Sequence, residues 1–331
     1  MFPALGIDVS KQSLAVALML DAQQLACGTF DNSPEGYARL NRWVVRQMTP
    51  APLAVCLEAT GRYGEAVAAA LVALGYHVSV VHPHAIHAYA RSQLRIGKSD
   101  QGDAKLLALY CGRHELPAWQ PPTPDQQLLQ ELSRHLDDLK TARQQVRNRL
   151  SAGVRSQLIV RSLQEQLELL ERQIAQTQSE IDELIEQDES RCQQMALLLS
   201  IPGIGRTTAS KFIAEVGDWT SFANADQLAA YAGLVPKQHT SGTSVHKKAV
   251  LVKRGNRALR TAFYMPALCA ERFNPLIAAL TQRLRARGKS KMAIIGAVMH
   301  KLLRLAYGVL KSGLPFDPAY ATSSRASSLA T

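Results

Sequence analysis

The stretch ALGIDVSKQSLAVALMLDAQQLACGTF, residues 4–30, decides the predicted fold of the first part of the chain. It contains three short apolar runs, ALGIDV, SLAVALML and QLACGTF, each typical of a buried strand. Ser33 and Pro34 then mark a helix start, as N-cap and first helical residue. A strand LAVCLEAT (53–60), a helix from Gly64 to Leu74, a strand HVSVVHP (77–83) and helical segments over 85–114 follow. This order predicts an α/β sheet with helices on both faces and the first strand at its centre, beside LAVCLEAT.

Four carboxylates lie near the ends of these predicted elements. Asp8 and Glu58 end the apolar runs of two strands that we expect to be neighbours, and Asp100 and Asp103 lie in GKSDQGDAKLLALY (97–110), ahead of an apolar helix. Ligand sites of α/β sheets lie at such strand ends. Four converging acids repel each other unless a cation is bound, and hard oxygen ligands suit Mg²⁺ or Mn²⁺, which serve phosphodiester chemistry. Singly, each acid has a plainer interpretation: a turn residue after a strand, or in Asp100 a helix N-cap.

The charge of the chain indicates a polyanionic partner. Its 331 residues carry a formal net charge of +11. The excess is concentrated between Lys237 and Lys311, where sixteen Lys and Arg accompany one acid, Glu271. Such an imbalance favours nucleic acid as the partner, with a solvated basic surface or an anionic membrane as the alternative.

The middle of the chain predicts two long helices with heptad seams. After the linker PPTPDQQ (121–127), apolar residues recur in three- and four-residue steps, with Arg143 in one seam position. The first seam is Leu129, Leu132, Leu136, Leu139, Val146 and Leu150, and the second is Leu163, Leu167, Leu170, Ile174, Thr177, Ile181 and Leu184. The pattern fits a helical hairpin within one chain or a coiled coil between protomers. We expect a homo-oligomer, a dimer or tetramer.

The last part of the chain predicts a mainly α domain with two candidate nucleic-acid contacts. SIPGIGRTTA (200–209) resembles a helix-hairpin-helix turn, in which Gly203 and Gly205 would expose backbone N–H groups to a phosphate, although a ligand-free turn between helices fits as well. The segment 231–267 adds a Ser/Thr/Gly loop and six cations that are expected to contact phosphate: Lys247, Lys248, Lys253, Arg254, Arg257 and Arg260. Ser241 and Ser244 lie in that loop, and the residues alone single out neither.

The motifs GIDVSK, EATGRYG and GKSDQGDAK resemble the DEDD motifs of insertion-sequence transposases related to the Piv DNA invertase. AGLVP, the serine-glycine loop and KRGNRALR resemble the second domain of the same family, although VLV precedes KRGN where IS or a similar pair is typical. The resemblance implies an RNase H-like, RuvC-like first domain with metal-binding, catalytic carboxylates at Asp8, Glu58, Asp100 and Asp103. It also implies a nucleophilic serine, with Ser241 as the candidate and Ser244 as the alternative.

The implied activity is DNA transposition: a recombinase of an insertion sequence that cleaves and exchanges double-stranded DNA at element ends and target. In this family a structured non-coding RNA guides the protein, which would explain many phosphate-binding cations beside few base readers. One alternative is a RuvC-like nuclease that uses metal-activated water and needs no serine. A second is a non-catalytic DNA-bridging protein, which would bind DNA equally well with all four carboxylates neutralised.

The predicted domains are 1–118 (catalytic), 119–190 (helical coiled coil or linker) and 191–316 (with the serine loop), followed by a tail, 317–331, expected to be disordered. The five cysteines are scattered without zinc spacing, as in a reducing compartment. LAVALML (14–20) is too short to span a bilayer and no basic segment precedes it. We therefore expect a cytoplasmic, nucleoid-associated protein with no membrane partner.

Overall fold

The computed structural model describes residues 3–20, 25–48, 52–58, 62–93, 99–241, 245–251 and 255–319, without the side chains of 62, 84, 237–241 and 245–250. The chain forms two compact units, Met1–Pro122 and Thr123–Thr331. Within the described residues, the first unit has two apolar cores and the second unit has one. Residues 119–190, expected as a separate segment, contribute Leu129, Leu136, Ile181 and Ile185 to the core of the second unit.

The first unit is a five-stranded sheet with helices on both faces. Its strands are β1 (Ala4–Val9), β2 (Ser13–Met19), β3 (Leu25–Asp31), β4 (Ala54–Glu58) and β5 (His77–Val81). Its helices are α1 (Pro34–Gln47), α2 (Arg62–Ala73), α3 (Pro83–Ser92) and α4 (Asp100–Cys111). The strand order is β3-β2-β1-β4-β5, and β1 pairs antiparallel with β2 and parallel with β4. The predicted central position of the first strand, beside LAVCLEAT, is confirmed.

The alternation of residues along β1 and β4 separates two cores. Leu5 and Ile7 of β1, with Leu57 of β4, pack in the core formed with α1 and α2. Ala4 and Cys56 face the opposite side, where they pack with α4. Because side chains alternate along a strand, Asp8 and Glu58 belong to the face that α4 covers. The predicted helix start is also confirmed: Ser33 Oγ accepts a hydrogen bond from Gly36 N at 3.2 Å, with Pro34 as first helical residue.

The second unit is helical with one two-stranded hairpin. Its helices are α5 (Pro124–Ser151), α6 (Gln157–Glu186), α7 (Glu189–Leu199), α8 (Arg206–Val216), α9 (Ala225–Tyr231), α10 (Arg257–Ala262), α11 (Tyr264–Phe273), α12 (Pro275–Ala286) and α13 (Lys291–Ser312), with a 3₁₀ turn at Trp219–Ser221. Its strands are β6 (Pro236–Ser241) and β7 (Val245–Leu251), which pair antiparallel.

Helices α5 and α6 pack against each other as a hairpin within one chain. Leu129, Leu136, Leu139 and Val146 of the first predicted seam are buried. Of the second seam, Leu163, Thr177 and Ile181 are buried, whereas Leu167 and Leu170 are only partly buried. An ion pair between Arg147 Nη2 and Glu171 Oε1, 2.7 Å long, links the two helices. The seams therefore serve an intrachain hairpin.

Helix α13 forms the centre of the core of the second unit. Leu302, Leu303 and Ala306 are fully buried in it. Within the described residues, α13 is the one helix of sufficient length and hydropathy to cross a bilayer, and 61% of its apolar window is buried inside the protein.

Candidate active site

Asp8 and Glu58 lie side by side at one end of the sheet. The parallel register of β1 and β4 pairs Ile7 with Leu57, so Asp8 and Glu58 are the next residues along two adjacent strands. Adjacent strands lie about 4.8 Å apart. Both carboxylates are partly buried. The two strands thus bring two acids to one edge, on the face that α4 covers.

Helix α4 lies directly on β1, and Gly6 makes this close approach possible. A Cβ at position 6 would overlap the carbonyl oxygen of Ala104 and the amide nitrogen of Ala108. Any side chain at position 6 would therefore displace the helix. Since Asp8 follows Gly6 by two residues on the same face, it lies at the edge of the area that α4 covers.

Gln101 fixes which end of α4 lies near Asp8. Its Nε2 donates hydrogen bonds to Gly28 O at 2.9 Å and to Thr29 Oγ1 at 3.1 Å. Thr29 pairs with Ala15, and Ala15 pairs with Asp8, so these residues form one row across the sheet. The first turn of α4, which carries Asp100 and Asp103, therefore lies at the Asp8 end of the sheet.

The far end of α4 is held by a pair of buried thiols. Cys111 of α4 and Cys56 of β4 are 2% and 0% exposed. A hydrogen bond with Cys111, together with burial, raises the pKa of the Cys56 thiol, which therefore stays protonated. The same hydrogen bond lowers the pKa of Cys111. Helix α4 is thus anchored to β3 through Gln101 and to β4 through Cys111.

Ser99, and not Asp100, caps α4. Its Oγ accepts a hydrogen bond from Gly102 N at 3.3 Å, and its backbone is extended. Asp100 is consequently the first helical residue, exposed to solvent, and Asp103 is partly buried one turn later. The positive end of the helix dipole favours carboxylates in this turn and offsets their mutual repulsion. The structure therefore removes the capping role as an explanation for Asp100.

Asn32 connects the turn that follows β1 to the first turn of α2. Its Nδ2 donates to Ser10 O at 2.9 Å and to Tyr63 O at 3.1 Å. Its Oδ1 accepts the hydroxyl of Tyr37 at 2.6 Å. Neither Asn32 nor Gln101 was singled out from the sequence, because an isolated amide has no motif that distinguishes it from a surface residue.

The four carboxylates lie on one face and toward one end of the sheet, but their side chains do not converge on a single metal position. Within the described residues, no three His, Cys, Asp or Glu side chains are close enough together to hold one metal ion. Residues 59–61, which follow Glu58, and residues 94–98, which precede α4, lie outside the described ranges. By chemistry the donor set still fits a hard divalent cation, since all four members are carboxylates.

Ser241 is the last residue of β6, so the expected loop is wrong for this position. The polar sequence PKQHTS shows no apolar alternation, and backbone pairing with β7 forms the strand in its place.

Ser244, Lys253 and Arg254 lie outside the described residues. Lys247 and Lys248 belong to β7, and Arg257 is exposed at the start of α10. Arg260 is partly buried, and its Nη1 donates to Ala232 O at 2.9 Å.

The first glycine of the turn between α7 and α8, Gly203, is required by the structure itself. Gly203 has φ +104°, and a Cβ there would lie 2.7 Å from the Cβ of Ala270. Gly205 is the N-cap of α8, and a Cβ added there would meet nothing within 4 Å. The neighbouring Arg206 is paired with Asp182 and Glu186, whose hydrogen bonds raise its pKa. Of the two glycines, only Gly205 has an open surface toward a ligand.

Comparison with known proteins gives the class of this enzyme. A DEDD model of the IS110 type, described as a transposase, matches residues 5–158, and a model described as the transposase IS116/IS110/IS902 family matches residues 195–282. The first match includes all four carboxylates and the second includes Ser241. These matches define a DNA transposase or recombinase.

Curated relatives extend the similarity over most of the chain. The pilin gene-inverting protein of Moraxella bovis is 33% identical over 316 residues, which is 95% of this chain and 97% of that protein. The transposase for insertion sequence element IS1111A of Coxiella burnetii is 29% identical over 57% of this chain and 58% of its own length. An IS110 protein of Streptomyces coelicolor is 31% identical over 48% of this chain and 38% of its own. The chain belongs to the IS116/IS110/IS902 transposase family.

Proposed function

We propose that this transposase cleaves and exchanges DNA strands with a divalent metal site in the first unit and a nucleophilic serine in the second. The observation that supports it most is the position of α4, whose first turn lies at the end of β1 that carries Asp8. Membership of a DEDD transposase family implies dependence on divalent metal in general. In a RuvC-like, RNase H-like arrangement, Asp8, Glu58, Asp100 and Asp103 would hold Mg²⁺ or Mn²⁺, which stabilises the attacking and the leaving oxygen of a phosphodiester when bound.

Ser241 is the proposed nucleophile. Its Oγ would lose a proton and attack the phosphorus of the scissile phosphate, forming a Ser–phosphate bond while one P–O bond of the strand breaks and leaves a free hydroxyl. Attack by the hydroxyl of another strand end then restores a phosphodiester and releases Ser241. Because the covalent intermediate conserves the energy of the broken bond, exchange needs no external energy source.

The basic residues supply contacts to the sugar–phosphate backbone. Lys247, Lys248, Lys253, Arg254, Arg257 and Arg260, with the N-terminus of α8 at Gly203–Gly205, are the proposed contacts to DNA. Such contacts position a duplex but do not read its sequence. A structured guide RNA that pairs with the element ends and the target would supply the sequence choice.

The metal site is tested by a cleavage assay on labelled duplexes. These tiled duplexes overlap one another and together cover the DNA on both sides of the gene. The wild type should cleave in Mg²⁺ and not in EDTA, and Asp8→Asn should bind the same duplexes without cleaving them. Asp31→Asn is the matched control, because Asp31 also ends a strand of this sheet but pairs with Arg39. Cleavage that survives EDTA, or an Asp8→Asn protein as active as Asp31→Asn, would refute the site.

The guide RNA is tested on purified protein. We expect a defined transcript to copurify, and recombination of the tiled duplexes to cease after exhaustive ribonuclease treatment and return when the transcript is added back. Sequence-specific recombination by RNA-free protein would refute this part of the proposal and leave the metal site and the serine standing.

A further inference from the structure

The second unit contains a fully buried carboxylate that the proposed chemistry does not use. The side chain of Glu215, in α8, is 0% exposed. Arg134 of α5 donates to both of its oxygens, through Nε and Nη2, at 3.1 Å each. A third hydrogen bond comes from Nδ2 of Asn256, 2.7 Å from Glu215 Oε2. A charge buried to this extent is tolerated only when it is paired and hydrogen-bonded.

Further charges surround this carboxylate. Lys211, one turn earlier on α8, is paired with Asp137 of α5. Burial lowers the pKa of Lys211, and the nearby Glu215 opposes that shift. Two cations and two anions therefore lie between α5 and α8, and Asn256 connects this group to the chain that follows β7.

Asn256 forms hydrogen bonds through both its side chain and its backbone. Its Oδ1 accepts from Leu259 N at 2.8 Å and so caps α10, and its own N–H donates to Tyr231 O at 2.7 Å. Besides Glu215, its Nδ2 donates to the hydroxyl of Tyr231 at 3.1 Å. That hydroxyl in turn donates to the backbone oxygen of Glu215 at 3.1 Å. Asn256, Tyr231 and Glu215 thus form a closed triangle of hydrogen bonds.

These contacts join the two ends of the β6–β7 hairpin. Tyr231 and Ala232 precede β6, and Gly255 and Asn256 follow β7. Gly255 has φ +121°, and a Cβ there would overlap the carbonyl oxygen of Tyr231. Together with the hydrogen bond from Arg260 to Ala232 O, this close approach fastens the chain leaving the hairpin to the chain entering it. Residues 231–236 and 255–260 are therefore two halves of one structural unit, the hairpin base.

We propose that Glu215 and Asn256 are positioning residues for strand exchange, because they fix the hairpin base and thereby the position of the β6 backbone that carries Ser241. This inference rests on the proposed role of Ser241. Neither residue would contact DNA or metal; they act through the backbone of the hairpin. A nucleophile held on a misplaced element loses rate steeply, on the order of 100-fold for a shift of about 1 Å.

The chain offers a matched control in Asn274. It is 1% exposed, caps α12 by accepting from Leu276 N and Ile277 N at 3.1 and 3.3 Å, and donates from Nδ2 to Pro202 O. Asn274→Ala and Asn256→Ala each remove a capping amide, but only Asn256 belongs to the hairpin base. If Asn256 acted only as a helix cap, the two variants would show the same hydrogen exchange in the β6–β7 hairpin and the same capture of DNA by Ser241.

The first experiment measures amide hydrogen exchange of residues 236–251 in the full chain. Asn256→Ala should accelerate exchange in this segment, while Asn274→Ala should leave it at the wild-type rate. Covalent capture of the tiled labelled duplexes by Ser241 should fall on the order of 100-fold in Asn256→Ala and stay near the wild-type rate in Asn274→Ala. Equal exchange in the two variants, or equal capture, would overturn the proposal.

The second experiment reverses the hydrogen bond between the two residues. Asn256→Asp keeps the cap on α10 but places a second carboxylate against Glu215, so capture should fall. Adding Glu215→Gln to the same chain supplies an amide donor to the new carboxylate and restores the total charge of the pair, so capture should recover. Failure of the double variant to exceed Asn256→Asp alone would overturn the direct coupling. A wild type that forms no Ser241 adduct would refute the proposed function instead, and the exchange measurement would still test the hairpin base.

Discussion

Gly6 of β1 lies directly against the backbone of Ala104 in α4, with no room for a side chain between them. This contact places the helix that carries Asp100 and Asp103 across the strand that ends in Asp8. It relates two carboxylate-bearing segments that are far apart along the chain.

Gly6→Ala should therefore damage the site without touching a carboxylate. The new methyl group must displace α4, and we expect a lower free energy of unfolding by about 1–3 kcal/mol, the usual cost of overpacking. Metal-dependent cleavage should be lost while DNA binding is retained. Denaturant unfolding and cleavage assays on the same preparation measure both effects.

The control for this variant is Gly308→Ala, in the interior of α13, where nothing lies within 4 Å of an added Cβ. Alanine favours a helix interior by about 1 kcal/mol over glycine, so this variant should gain stability. A Gly6→Ala protein that is as stable and as active as Gly308→Ala would show that α4 does not depend on this contact.

Alanine variants of the two glycines in the turn before α8 are expected to differ in stability. Gly203→Ala should lower the free energy of unfolding by about 1–3 kcal/mol, because its backbone has a positive φ and its Cβ would press on Ala270. Gly205→Ala should fold normally. If backbone N–H groups of α8 contact phosphate, it should still weaken binding to a labelled duplex. Unchanged DNA affinity in Gly205→Ala would remove this turn from the DNA-binding surface.

Self-association is expected to depend on the outer face of α6. Leu158 and Ile159 are 78% and 45% exposed near the start of this helix, where an apolar surface is unfavourable in a monomer. Replacing both with Ser should shift the wild-type oligomer toward monomer in light scattering and leave the unfolding transition unchanged. Leu163→Ser is the contrasting variant, since Leu163 is 2% exposed and its loss should destabilise the hairpin itself. A wild type that is monomeric at micromolar concentration, with and without nucleic acid, would contradict the expected oligomer.

His300 of α13 predicts a weak dependence of stability on pH. Burial lowers its pKa below the ordinary value of 6.5, with Arg304 and Lys301 acting in the same direction and Asp226 opposing them. Between the folded pKa and 6.5, the unfolded chain binds more protons than the folded chain. Stability should therefore fall as the pH decreases below about 6.5 and level off below the folded pKa.

Denaturant titrations at pH 7.5, 6.5 and 5.5 measure this effect as the difference between wild type and His300→Gln. The difference should shrink as the pH falls, because the variant has no imidazole to protonate. A difference that is constant with pH would show that His300 does not titrate differently on folding.

The sequence predicted the order of the sheet and the neighbouring positions of Asp8 and Glu58 at two strand ends, because local patterns carry this information. Apolar runs that end in Asp8 and Glu58, and right-handed crossovers, were enough to place β1 beside β4. The role of Gly6 was not predicted, since a glycine in a strand does not reveal which helix approaches it. The heptad seams predicted α5 and α6. The same heptad pattern arises whether the partner helix belongs to the same chain or to another, so the pattern does not identify the partner.

The hairpin base was missed for a different reason. Glu215 interrupts the apolar run KFIAEV, and an acid within a buried helix is a signal that sequence inspection can detect. Its partners Arg134 and Asn256 are 81 and 41 residues away along the chain, and no local pattern connects them. The β6–β7 strands were also missed, because their pairing depends on backbone hydrogen bonds rather than on apolar alternation.

The central claim, that Ser241 is the nucleophile of a metal-dependent strand exchange, is tested most directly by trapping the covalent intermediate. Labelled duplexes that tile the gene's flanking DNA are incubated with protein, its copurified transcript and Mg²⁺, then denatured, resolved on a gel and mapped by peptide sequencing. The account predicts a protein–DNA adduct at Ser241 in the wild type and in Ser244→Ala, and none in Ser241→Ala, in Asp8→Asn or in EDTA. Undiminished hydrolytic nicking in Ser241→Ala, with no adduct in the wild type, would contradict it and identify a nuclease that uses water.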